Sequence, residues 1–174
     1  MKKWIYSFSL ILFFSIISCS DNNVNNYEPP SGTLEGILVG QAAPNITVND
    51  ITGKPIDLHS LRGNVVLLDF WATWCYPCKQ EIPKLKEIWE KYHDKNFVII
   101  GISSDTKEEN LKNYVEQNDI KWQQYFDATK SVYFKYVVNA IPRFYLIGKN
   151  GVITFTGYPV QINLENEIDK LLKE

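Results

Sequence analysis

Asp69-Phe70-Trp71-Ala72-Thr73-Trp74-Cys75-Tyr76-Pro77-Cys78-Lys79-Gln80-Glu81-Ile82-Pro83 places two cysteines, two residues apart, where an apolar run gives way to a helical pattern. The run before it, Val65-Val66-Leu67-Leu68, has no polar alternation, as a strand covered on both faces requires. A strand thus delivers a thiol pair to a helix start. There the unpaired N–H groups and the positive end of the helix dipole stabilise an anion, and a thiolate is one. Cys75, at the very start, is expected to have a depressed pKa and to be the attacking sulfur in thiol-disulfide exchange. Cys78 lies about one turn further in, where it can close a small ring with Cys75. Pro77 is tolerated because a first-turn residue has no intrahelical N–H bond to lose. Pro83 instead deprives the Lys79 carbonyl of its partner and predicts a kink.

Readings of this pair without redox chemistry are weaker. Structural zinc needs four ligands, commonly a second cysteine pair or spaced histidines. The chain has three cysteines and two scattered histidines, His59 and His93, so neither a metal nor another cofactor is expected. An inert staple is disfavoured because so short a loop removes little chain entropy.

The 174 residues, 45% hydrophobic and 14% aromatic, suffice for one domain with one sizeable core, plus appendages. The net charge of -2, with acids and bases mixed, excludes the basic stripe of a nucleic-acid binder. Lys2 and Lys3 precede an apolar run from Trp4 to Ile17, too short for the ~20 residues of a spanning helix, and it reads as a secretory signal. Its end, Ile16-Ile17-Ser18-Cys19, resembles a bacterial lipobox, which would make Cys19 the lipidated first residue of the mature protein. Residues 1–19 are therefore expected to be a lipoprotein signal peptide. Residues 20–36 are rich in Asn, Pro and Gly and are expected to be a flexible tether, with a coil reach of roughly 20 to 25 Å. Residues 37–174 would form the domain.

Within that domain, Asn45–Asn49 and Pro55–Leu58 flank a turn at Asp50–Gly53 and predict a hairpin. Strands are expected at Asn64–Phe70 and Phe97–Ile102, with a helix after the cysteines carrying Ile82, Leu85, Ile88, Trp89 and Tyr92 and ending near Asp94. Asp105 and Glu108 have capping-box spacing for a helix with Leu111, Tyr114 and Val115 that ends near Asn118. A short edge strand at Trp122–Phe126, a short helix at Ser131–Tyr136, a hairpin of Arg143–Ile147 with Val152–Thr156, and a last helix with Leu164, Ile168, Leu171 and Leu172 complete the chain. Strands alternating with helices, followed by a hairpin and a helix, predict an α/β sandwich around a mixed sheet.

Asp69-Phe-Trp-Ala-x-Trp-Cys-x-Pro-Cys-Lys with Pro83 resembles the active-site segment of thioredoxins, and Ile141-Pro142 before a strand resembles their cis-proline loop. The lead-in hairpin, Glu81-Ile-Pro83, the Gly101–Asp105 segment and the lipoprotein start narrow the resemblance to exported, membrane-anchored TlpA/ResA-type thiol-disulfide oxidoreductases. It covers about Val39 to Leu172. What it implies is a thioredoxin-like fold with an N-terminal hairpin, a redox-active Cys75–Cys78 disulfide, and a substrate surface at Trp74, Tyr76, Pro77, Ile141 and Pro142. Thioredoxins have a buried acid at the position of Asp69, while many ResA-type relatives rely on the glutamate matched by Glu81. Either carboxylate could take the Cys78 proton. Phe70, Trp71 and Trp74 are expected to pack around the thiols as an apolar rim. Arg143 stands where the family has a small polar residue, and a guanidinium there would favour an acidic partner.

The expected activity is reduction of disulfides in exported proteins, facing the periplasm or cell exterior, with a membrane thiol donor resupplying electrons. The Tyr76-Pro77 pair, with no histidine between the cysteines, resembles reducing members, roughly in the range -270 to -200 mV. Two alternatives stay open. One is a peroxiredoxin, although Leu68 and Ala72 occupy the proline and threonine slots of the peroxidatic pattern. The other is a non-catalytic surface lipoprotein that binds a partner through the apolar rim.

Overall fold

The structure, a computed structural model, describes residues 28–174. The expected signal peptide, Cys19 and the first part of the tether lie outside the described residues. The lead-in hairpin is the antiparallel pair β1 (Thr47–Asn49) and β2 (Pro55–Asp57), with Val48 opposite Ile56. Its turn is held by the Asp50 carboxylate, which accepts the N–H groups of Thr52 and Lys54 at 2.8 and 2.9 Å. Gly53 supplies the positive φ of 86° that a side chain would resist there.

The central sheet is built on β3 (Val65–Trp71), buried at every position. β4 (Phe97–Ser103) lies parallel to it on one side, and β5 (Gln123–Phe126) runs parallel to β4 as the edge. On the other side β6 (Arg143–Ile147) and β7 (Ile153–Gly157) are antiparallel, giving the order β5-β4-β3-β6-β7. The helices are α1 (Tyr76–Tyr92), α2 (Glu108–Gln117), α3 (Ser131–Lys135) and α4 (Leu164–Leu171). This is a thioredoxin-like fold with a mixed sheet between helical layers.

Alternation along β3 divides the core. Val65, Leu67 and Trp71 pack with Ile82, Leu85 and Ile88 of α1, Leu111 of α2 and Ile168 of α4. Val66, Leu68 and Phe70 face the other way, against Val132 and Tyr133 of α3 and Ile56 of the hairpin. Phe70 therefore does not join the rim around the thiols, because its neighbours Asp69 and Trp71 already take the α1 side and period 2 sends it to the opposite layer.

Other expectations are corrected at element ends. α1 stops at Tyr92, two residues before Asp94. The N-cap of α2 is Lys107, without a side-chain bond, so Asp105 and Glu108 form no capping box. Asp105 is buried, and its carboxylate is taken by stronger donors described below. Ala42 accepts from the Gly36 N–H and donates to the Leu34 carbonyl, each at 2.9 Å. No helix among the described residues is long and apolar enough to cross a membrane.

Candidate active site

After β3 the chain turns through Ala72–Trp74 and enters α1 with Cys75 as its N-cap. The Cys78 N–H donates to Cys75 Sγ at 3.2 Å, so the sulfur occupies the place that a serine or threonine oxygen usually fills at a helix start. Cys75 and Cys78 are joined as a disulfide, with Cα atoms 5.3 Å apart. Both are nearly buried, at 5% and 3% exposure, while the flanking Trp74 and Tyr76 stand out at 62% and 69%. The sulfurs thus sit low between two exposed aromatic side chains.

The Ile141–Pro142 bond is cis. Ile141 packs against the cluster that contains both cysteines, and with Trp74, Tyr133, Phe134 and Val137 it lines an open groove of about 600 Å³. Arg143 is not presented to this groove as a free cation. Its Nη2 donates to Thr156 Oγ1 at 2.9 Å, and the guanidinium lies over the rings of Tyr145 and Tyr158. His59 and His93 stand apart from the dithiol, His59 against the Ala43 carbonyl and His93 stacked on Trp89.

Beneath α1, Asp69 is buried, at 5% exposure. Burial, reinforced by the charge of Glu81, pushes its pKa up to about 8. Glu81 lies on α1, about one turn past Cys78. Both candidate carboxylates are therefore brought to the same side of the sheet as the disulfide.

Three supporting side chains were not assigned to the site from sequence. Asp105 accepts from Thr73 N–H at 3.1 Å and Thr73 Oγ1 at 2.6 Å, and from Ser103 Oγ at 2.6 Å. It fastens the loop that precedes Cys75 to the end of β4. Tyr133 Oη donates to the Trp71 and Ile102 carbonyls at 2.9 and 3.2 Å, tying α3 to the ends of β3 and β4. Gln124 Oε1 accepts the Trp71 indole N–H at 2.9 Å and fixes the ring beside the cysteines. The capping-box spacing of Asp105 concealed the first, and nothing local marked the other two.

A helix-capping sulfur bonded to its neighbour one turn on, on this fold and next to a cis proline, defines the class of thiol-disulfide oxidoreductases. Comparison with known proteins narrows it. The model of the AhpC/TSA family matches residues 39–156. The chain is 34% identical over 173 residues to the thiol-disulfide oxidoreductase ResA of Bacillus cereus, covering 98% of this chain and 99% of that protein. It is 29% identical over 173 residues to the thioredoxin-like protein YneN of Bacillus subtilis, covering 97% and 98%. The thioredoxin domain of a thiol-disulfide oxidoreductase from Bacteroides vulgatus superposes with a TM-score of 0.71 at 31% identity, over 79% of this chain and 99% of that one. The chain belongs to the AhpC/TSA family and, within it, to the ResA-type thiol-disulfide oxidoreductases. It is an enzyme of that type, and neither the peroxidase reading nor the non-catalytic one is favoured.

Proposed function

We propose that the chain reduces disulfides of exported proteins while anchored to a bacterial membrane, facing the periplasm or cell exterior, through a lipid on Cys19. The basic start, short apolar run and lipobox-like end support the anchor. In the reduced protein the Cys75 thiolate attacks one sulfur of a substrate disulfide. A Cys75–substrate S–S bond forms, and the other substrate sulfur leaves as a thiolate and takes a proton from water. Cys78 then gives its proton to a carboxylate, and the new thiolate attacks Cys75 Sγ. The Cys75–Cys78 bond closes, the second substrate sulfur departs, and the substrate has gained two electrons. A membrane thiol donor returns the pair to its dithiol form.

Asp69 is favoured over Glu81 as acceptor of the Cys78 proton, because its pKa near 8 lies close to working pH and to that of a thiol. Trp74, Tyr76, Pro77, Ile141 and Pro142 form the surface against which the substrate lies. The observation that carries the reading is Cys75 Sγ at the N-cap of α1, accepting the Cys78 N–H. Mixed-disulfide capture tests it. Cys78→Ser is expected to accumulate covalent complexes with exported proteins, and retained exchange activity in Cys75→Ser would refute the choice of nucleophile. The reduction potential tests direction: a value of roughly -270 to -200 mV fits a reductant, and one near about -120 mV an oxidant.

A further inference from the structure

We infer that the side-chain amide of Gln124 donates a hydrogen bond to the Asp69 carboxylate whenever that group is without its proton, making Gln124 a positioning residue for the proton step. This rests on the reading of Asp69 as acceptor of the Cys78 proton. Asp69, Gly101 and Gln124 stand in one row across the sheet, Asp69 in register with Gly101 and Gly101 with Gln124. Strands are about 4.8 Å apart. Gly101 has no side chain to fill its place in the row, and a Cβ there would overlap the Gln124 amide, which lies in that space. The amide is thus the immediate neighbour of the Asp69 side chain.

Its orientation is fixed by Trp71. An indole N–H can only donate, so the amide atom it meets at 2.9 Å must be the oxygen, and the NH2 group is the uncommitted end. That Nε2 is buried and without a partner. A buried donor without a partner beside a buried carboxyl is a costly arrangement unless one state of the pair uses it. The deprotonated carboxylate is that state.

The other groups around Asp69 cannot take this role. From α1, Glu81 repels a second negative charge, and Cys75 and Cys78 are the reacting sulfurs. Phe144 opposite it on β6 is apolar. The Tyr133 hydroxyl, from α3, is committed to two backbone carbonyls. In the exchange, Cys78 S–H gives its proton to the Asp69 carboxylate, the carboxyl becomes neutral and the Gln124 N–H is released.

Removing the donor should make Asp69 harder to ionise. Gln124→Leu is expected to shift the pH profile of mixed-disulfide resolution upward by about one unit, which is about tenfold slower at pH 7. In an Asp69→Asn background the same change should shift nothing further. An unmoved midpoint in Gln124→Leu, or an equal effect of Gln124→Leu with and without Asp69, overturns the inference alone. An Asp69→Asn profile identical to wild type overturns it together with the reading of Asp69. Should Gln124→Leu fail to fold, NMR on the wild-type protein decides: the Gln124 NH2 resonances must titrate with the Asp69 carboxyl carbon at one midpoint, and independent midpoints overturn the inference.

Discussion

The two faces of the central sheet treat buried polar groups in opposite ways. On the side of α3, Tyr133, Tyr136 and Tyr145 surround Phe70, and each buried hydroxyl donates to a backbone carbonyl; Tyr136 reaches Pro44 and Tyr145 reaches Tyr136, both at 2.6 Å. On the side of α1, Asp69 is buried, and Gln124 Nε2 is buried without a partner. Around Phe70 every tyrosine hydroxyl is satisfied, and that face is structural there. The other keeps groups in reserve for a proton and a charge that come and go during exchange.

The largest expected difference is chemical. Cys75→Ser abolishes disulfide exchange in an insulin-reduction assay, whereas Tyr136→Phe, on the satisfied face, leaves the rate at its wild-type value. A matching loss in both would remove the distinction between the faces.

The next difference is in stability against pH. With its pKa raised from 3.8 to about 8 by burial, Asp69 holds a proton in the folded state over a range where the unfolded chain has released it. Stability from this group is complete below the lower value and declines as pH rises toward the upper one. Asp69→Asn should therefore stabilise the protein at pH 8, by up to about 5 kcal/mol, and flatten the pH dependence of denaturant unfolding. The opposite face behaves in the reverse sense. Tyr136→Phe leaves the Pro44 carbonyl without its donor and should cost about 1–2 kcal/mol at every pH below the tyrosine range. The smallest effect concerns the rim: Trp74→Ala, at a largely exposed side chain, should change unfolding free energy by less than about 0.5 kcal/mol yet raise KM for a protein disulfide several-fold.

The sequence revealed one of these faces better than the other. The apolar run of β3, the cysteine spacing and the helical stripe of α1 are local signals, and they located the dithiol and its strand and helix. The side on which Phe70 falls was hidden because a uniformly apolar strand shows no alternation. Asp105 carried a local pattern that suggested a cap, but its partner Thr73 lies 32 residues away and was chosen by burial. Gln124 was unreadable for a further reason: its place depends on a glycine one strand over and an aspartate two strands over, a relation that only the register creates.

The central claim is that the N-terminus of α1 holds the Cys75 sulfur as an anion. Its most direct test is the rate of Cys75 alkylation as a function of pH in reduced Cys78→Ser protein. A midpoint well below the value of about 8.5 for a free cysteine is expected. A midpoint at or above that value would contradict the account.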